Sequence, residues 1–231
     1  KEEIERALKT PSFDGFQLLQ LQDFPGQGTA LVGILNAFWE SKGVISAEEF
    51  SQFNSELVPL IRFKKAVYES GEIFKASVEI ANFFKPMENQ KLAWTITDEA
   101  DKIIASSEIA SVNLAIGNNK ELGRITYAIN TDTAKKLKVE VSLEGTKYKN
   151  SWNIWVYPKT VALSKKDVIV TSSYAVAAQA LKKGDKVLLN PDFKTLKGTQ
   201  GRFVPVFWSP VHFPNQPATM GVFVDTEHPA F

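Results

Sequence analysis

Cysteine is absent from the 231 residues. That excludes a disulfide framework, a thiolate zinc site and a cysteine nucleophile. Histidine is nearly absent too: His212 and His228 are the only two, and they are too far apart in sequence to suggest a ligand pair. An excess of one charge is also missing, with 27 Lys and Arg against 26 Asp and Glu. A surface dedicated to nucleic acid or to anionic membrane needs a basic surplus, so neither partner is expected. No apolar run approaches the length of a membrane span, and no internal repeat or low-complexity tract is present. What remains is an ordinary globular composition, 44% hydrophobic and 23% charged, long enough for one to three compact units.

Three textures follow one another. Glu2 to Lys9 place Ile4, Ala7 and Leu8 at helical spacing among charges, and Thr10-Pro11-Ser12 ends that pattern. Glu2, Glu3 and Glu5 read as its solvated face. Gly15 to Leu21 reads as a strand whose Leu18-Leu19 pair breaks strict alternation, as a strand buried on both faces tolerates. Gln22 to Gly28 is a loop by its Asp, Pro and Gly content. Its glycines lack the spacing of a dinucleotide fingerprint. Ser46 followed by Glu49 has the form of a capping box, and the pattern predicts a helix over 46–66, with Leu60 to Tyr68 readable as a second helix or an extended exit.

From Ile73 the period changes to two. Segments near 74–80, 92–96, 103–105, 123–129, 137–143 and 152–157 alternate or are β-rich, and Leu137 to Leu143 alternates without a break. About seven short strands with turns between them predict an immunoglobulin-like antiparallel β-sandwich. The third texture is Val168-Ile169-Val170, an N-cap at Ser172-Ser173, a helix carrying Ala175, Ala178 and Leu181, Gly184 at its end, and a second buried strand at Val187 to Leu189. Strand, helix and strand in that order predict a parallel pair in a partial α/β unit. Further strands are expected at 203–207 and 220–224.

The strings Gly15-Phe16-Gln17-Leu18-Leu19, Gln22-Asp23-Phe24-Pro25-Gly26-Gln27-Gly28 and Val78-Glu79-Ile80-Ala81-Asn82-Phe83 resemble the end of family 2 glycoside hydrolases. This is the clan of β-galactosidases, β-glucuronidases and β-mannosidases, in a branch found in polysaccharide-degrading gut bacteria. Arg202 to Pro210 resembles an accessory domain of the same branch. The resemblance implies a multidomain α+β chain. Residues 1–66 would be the C-terminal end of a (β/α)8 barrel, its last strand and final helices; residues 67–158 the sandwich; residues 159–231 the partial α/β accessory domain. It implies retaining hydrolysis of O-glycosidic bonds of β-linked sugars by two carboxylates that lie on upstream barrel strands. On this reading the chain is a piece of a longer enzyme, inactive alone, and both ends look cut. The alternative is a non-catalytic carbohydrate- or protein-binding module. An independent enzyme in the α/β unit is disfavoured because no Gly-x-Ser-x-Gly elbow surrounds Ser172 or Ser173.

No residue here is assigned a catalytic role, and no metal or cofactor is expected. Asp23, at the C-terminal end of the presumed last barrel strand, is the best site candidate. It serves equally as a cap for its own loop. Gln22 and Gln27 either donate to sugar hydroxyls or satisfy loop carbonyls. The family usually carries tryptophans in this strand, where Leu18 and Gln20 stand, so no aromatic sugar platform carries over to Leu18. Of the tryptophans, Trp94 and Trp152 are expected in the sandwich core, and Trp208 on a loop. The expected setting is periplasmic or secreted, with the carbohydrate met through the parent enzyme and self-association through whatever apolar surface residues 1–66 leave uncovered.

Overall fold

The computed structural model describes residues 1–26, 32–160, 167–197, 225 and 227. The chain divides into two units, the first comprising residues 1–25 and 31–161, the second 26–30 and 162–231.

The first unit is built on a β-sandwich. Eight strands follow a short N-terminal arm: β1 (Leu57–Phe63), β2 (Val67–Glu69), β3 (Ile73–Asn82), β4 (Met87–Thr97), β5 (Ile103–Leu114), β6 (Glu121–Ala128), β7 (Lys135–Leu143) and β8 (Lys149–Tyr157). One sheet has the order β1-β3-β6 and the other β2-β8-β7-β4-β5. All pairings are antiparallel except β2, which runs parallel to β8. The period-two pattern decides which side chains turn inward. Phe74, Ala76, Val78 and Ile80 of β3 meet Leu137, Val139, Val141 and Leu143 of β7, with Trp94 and Trp152 in the same core. Burying side chains of this size stabilises by about 1.5–3 kcal/mol each, so this core holds the unit together.

The predicted helix over 46–66 is corrected. Only α2 (Ala47–Ser51) forms, opened by the expected box in which Ser46 Oγ accepts from Glu49 N and Glu49 accepts from Ser46 N. The run Leu57-Val58-Pro59-Leu60-Ile61 then forms β1, pairing from Leu57↔Asn82 to Phe63↔Ala76. Its lack of alternation has a physical cause: both faces are covered. Leu57 and Ile61 enter the sandwich core, while Val58 and Leu60 join Ile4 and Leu8 of α1 (Glu2–Leu8), Phe53 and Ala81 in a second cluster outside the sheet. The proline at 59 is tolerated because β1 lies at the edge of its sheet.

The predicted strand over Gly15–Leu21 forms no ladder. Among the described residues before Leu57, the pairing is confined to isolated bridges at Gln22↔Leu35 and Leu35↔Ser41. Leu18, Leu21 and, most of all, Leu19 (80% exposed) face solvent.

The second unit follows the expected order. β9 (Val168–Thr171) pairs in parallel with β10 (Lys186–Leu189) from Val168↔Lys186 to Thr171↔Leu189. Between them runs α3 (Tyr174–Lys182), capped by Ser173, whose Oγ accepts from Val176 N, and followed by Gly184 at φ +84°. The left-handed conformation at that position is one that glycine adopts without steric cost. The strands expected at 203–207 and 220–224 lie outside the described residues.

Candidate functional site

Residues 21–25 and 32–42, which carry Asp23, form a compact arch. Asp23 N donates to Leu35 O and Leu35 N donates to Leu21 O, each at 3.0 Å. These two bonds lay Leu35 beside Gln22 and bring Gly33 against the backbone of Gln22 and Asp23. A β-carbon at Gly33 would sit 2.2 Å from the Gln22 carbonyl carbon and 2.4 Å from Asp23 N. Only a residue without one fits.

Asp23 is buried, at 5% exposure, and its carboxylate is fully engaged on one oxygen: Oδ1 accepts from Gly33 N at 2.9 Å and from Lys42 Nζ at 2.6 Å. The carboxylate therefore ties two strands of the arch together. Gln22 is half-buried beside it, and Gln27 lies outside the described residues. Lys42 and Gly33 are the partners that sequence reasoning missed. Lys42 is nineteen positions from Asp23, so no local spacing announces the pair.

Past Leu35 the chain makes a tight turn around Asn36. Asn36 Oδ1 accepts from Phe38 N at 2.8 Å and from Glu40 N at 3.0 Å, Asn36 Nδ2 donates to Glu40 Oε2 at 2.8 Å, and Asn36 N donates to Glu40 O at 2.9 Å. The turn holds Trp39 at φ +66°, a conformation that an aromatic residue enters at a cost of about 1–3 kcal/mol. Phe38 is 81% exposed and Trp39 is exposed beside it. With Leu19, Val32 and Val44 they leave an apolar surface along the arm that the rest of the described first unit does not cover.

A second polar cluster contradicts the expectation of a solvated Glu5. This carboxylate is 3% exposed, in the seam between α1 and β8. Its Oε1 accepts from Asn150 Nδ2 at 2.9 Å and its Oε2 from Trp152 Nε1 at 2.9 Å, with Lys9 Nζ at 3.3 Å and Lys1 Nζ at 3.7 Å. Lys1 Nζ also donates to Asn150 Oδ1 at 2.9 Å and lies 5.3 Å from the Trp152 ring. Burial pushes the Lys1 amine below its ordinary range, and the Glu5 carboxylate opposes that shift. Every Glu5 oxygen is matched by a donor from the same seam, so this cluster fastens α1 to the sandwich and has no room for a substrate. Glu2 and Glu3, in contrast, are exposed as expected.

The other end of α1 is fastened as well. Arg62 Nη2 donates to Lys9 O at 2.6 Å and to Asn119 Oδ1 at 2.7 Å, and its guanidinium pairs with the buried Glu79. Asn118 Nδ2 donates to Leu8 O at 2.8 Å. These bonds satisfy carbonyls that a helix end leaves open. Among the described residues no group of three or more His, Asp or Glu side chains is placed to hold a metal ion, and no helix is long and apolar enough to cross a membrane.

Residues 72–158 match the model of a domain of unknown function, DUF8488, and residues 168–231 that of another, DUF8487. No curated protein matches the chain. Among solved structures, the sporulation control protein Spo0M of Bacillus subtilis is similar at 12% identity and TM-score 0.32, covering 47% of this chain and 51% of that one. A β-glucuronidase of Parabacteroides merdae is similar at 11% identity and TM-score 0.31, covering 45% of this chain and 14% of that one. A putative β-galactosidase of Bacteroides fragilis is similar at 15% identity and TM-score 0.29, covering 41% and 15%. The chain thus spans about half of the first of these proteins and about a seventh of the two glycosidases. Likenesses this distant carry no argument about activity.

Proposed function

We propose that this chain is the C-terminal part of a retaining glycoside hydrolase acting on β-linked sugars. The observation that carries the reading is the segment Gly15–Leu21. It makes no ladder, bends at Leu19 and Leu21 with Gln20 at φ +64°, and leaves Phe16, Leu18, Leu19 and Leu21 exposed to solvent. A strand made for an isolated loop has no use for such side chains, whereas one lodged between parallel barrel neighbours buries both faces. Read as the last barrel strand, the segment leads to Asp23 and the Gly33 contact at the end where barrel enzymes gather their sites. The strand order β1-β3-β6 facing β2-β8-β7-β4-β5 supports reading the sandwich as immunoglobulin-like.

On this reading the barrel end expected over residues 1–66 is confined to the residues before β1, and residues 159–231 form an accessory α/β unit. The acid/base and nucleophile sit about 5–5.5 Å apart on other barrel strands. Asp23, Gln22 and Gln27 border the sugar site without doing the chemistry. The setting is periplasmic or secreted, and the uncovered apolar arm associates with itself when its barrel is missing.

The same arm would also serve a non-catalytic carbohydrate- or protein-binding module, and the two readings separate experimentally. The 231-residue protein is expected to leave aryl β-glycosides intact, while the longer product of the same gene hydrolyses them with retention. Turnover by the 231-residue protein itself, or a longer product without barrel strands ending in glutamate, would overturn the hydrolase reading.

A further inference from the structure

The sheet β1-β3-β6 is covered on its outer side by α1 and Phe53 only over the stretch near Val58, Leu60 and Ala81. Beyond the end of α1 the sheet lies open as a groove of about 710 Å³. The register fixes what it displays. Arg62 of β1 lies opposite Ser77 of β3, and Ser77 opposite Arg124 of β6. Two residues along, Lys75 lies opposite Thr126, and Lys64, in the bend just past β1, lines the same groove.

Five positions on one sheet face and the bend beside them thus carry four cations and two hydroxyls. Like charges on adjacent strands repel, and a sheet surface selected for stability alone alternates them with carboxylates. Carboxylates here are few. Glu121 is the single one among the residues lining the groove, and it is taken up by Arg124 at 2.7 Å. Glu79 pairs with Arg62 from the adjoining stretch of β3, and Lys65 at the groove's rim pairs with Glu72. Lys64 and Lys75 are exposed, and neither ammonium has a hydrogen-bond or ion-pair partner among the described residues. The chain as a whole is balanced in charge, so the surplus is local.

We propose that this groove is a binding site for an anionic polysaccharide, its sulfate or carboxylate groups held by Lys64 and Lys75, with Ser77 and Thr126 donating to ring and linkage oxygens. Ile73, on the same face of β3 as Lys75 and Ser77 and 49% exposed, supplies an apolar edge. The volume lies in the about 300–1,000 Å³ range of sites for small ligands or short chain segments. A duplex nucleic acid needs a longer basic track than this sheet face and the bend beside it provide. The choice of a glycan as carrier of the anionic groups rests on the glycosidase reading; the anion site itself rests on the groove.

The test is retardation of the 231-residue protein in native gels cast with dextran sulfate, polygalacturonate or unmodified dextran, with dissociation constants for the first two from titration at low salt. Retardation by at least one anionic polymer and none by dextran is expected. The double variant Lys64→Ala/Lys75→Ala is expected to bind about tenfold more weakly, two lost ionic contacts compounding. Lys91→Ala/Lys102→Ala, which removes the same charge from β4 and the turn after it, is expected to bind as the parent does. No retardation of the parent protein, or equal weakening by both double variants, overturns the anion site. Binding of a DNA duplex as tight as that of the anionic glycans overturns the choice of ligand. Failure of the longer gene product to cleave glycosides, with the groove variants still selective, would sink the hydrolase reading and leave this site standing.

Discussion

Trp152 Nε1 donates to Glu5 Oε2 over 2.9 Å, a bond that joins the first helix to the last sandwich strand across 147 residues of chain. The donor and acceptor are both buried, so each is the other's replacement for water. Glu5→Ala leaves the Trp152 indole N–H and the Lys9 ammonium without their partner, while Asn150 Nδ2 keeps only Pro59 O and Lys1 keeps only Asn150 Oδ1 and Ser151 O. It is expected to lower stability by about 3 kcal/mol, read as the shift of the urea midpoint. Glu5→Gln keeps one acceptor and is expected to lose less. A shift in Glu5→Ala no larger than that of Glu2→Ala would show that the seam contributes nothing.

Gly33→Ala places a methyl group inside van der Waals contact of backbone atoms, which cannot swing aside as a side chain can. A cost of about 2 kcal/mol or more is expected, in the range of overpacked and strained sites. The damage is local to the arch, so hydrogen exchange at the Asp23 and Leu35 amides reports it directly. Both amides should exchange much faster than in the parent protein, with the sandwich amides unchanged.

Asp23→Asn retains an oxygen for Gly33 N but gives up the ion pair with Lys42. It should destabilise the arch less than Asp23→Ala, for which about 1–3 kcal/mol is expected from the stranded donors. In the longer enzyme that the proposed reading implies, the same pair of variants separates structure from binding. If Asp23 only ties the arch, KM follows the loss of stability; if it borders the sugar, Asp23→Asn raises KM while the fold is intact.

Three exposed carboxylates contribute to the acid limb of stability. The Tyr148 hydroxyl donates to Glu56, the Lys65 ammonium to Glu72 and the Lys138 ammonium to Asp101, and each bond holds its carboxyl below the ordinary value. Depressed folded-state values mean that the unfolded chain binds more protons, so stability rises with pH through this range. The contribution is complete above the ordinary values of 4.5 for Glu and 3.8 for Asp, and it is lost as pH falls through the lowered ones. Tyr148→Phe should move the Glu56 titration, followed by NMR, back up toward 4.5. An unmoved Glu56 would deny the bond.

β7 and β8 were legible because each buries one face and leaves the other wetter, which writes a period of two into Leu137–Leu143 and Asn150–Tyr157. The β9-α3-β10 order was legible from Ser173, Gly184 and two short apolar runs. β1 was not. Covered by the sandwich core on one side and by α1 on the other, it loses the alternation that marks a strand and reads as helix or extended chain. Glu5 misled for the same reason: among Glu2, Glu3 and Lys9 it looks solvated, and the donors that allow its burial lie on β8. Asp23 was found from its position after an apolar run, but the Lys42 and Gly33 contacts that give it a definite role arise only when the arch closes.

Because β1 is clamped from both sides, the modular seam of this molecule does not fall where its sequence families begin. A piece cut to start at residue 72, where the match to DUF8488 starts, forfeits β1 and β2 together. The three-stranded sheet shrinks to β3 and β6, and β3 becomes a bare edge flanked by the greasy surface that Leu57 and Ile61 had sealed. Such an edge recruits other chains. A piece of this sandwich that keeps β3 covered therefore carries β1 and, with it, the α1 and Phe53 side chains that seal the outer face of β1.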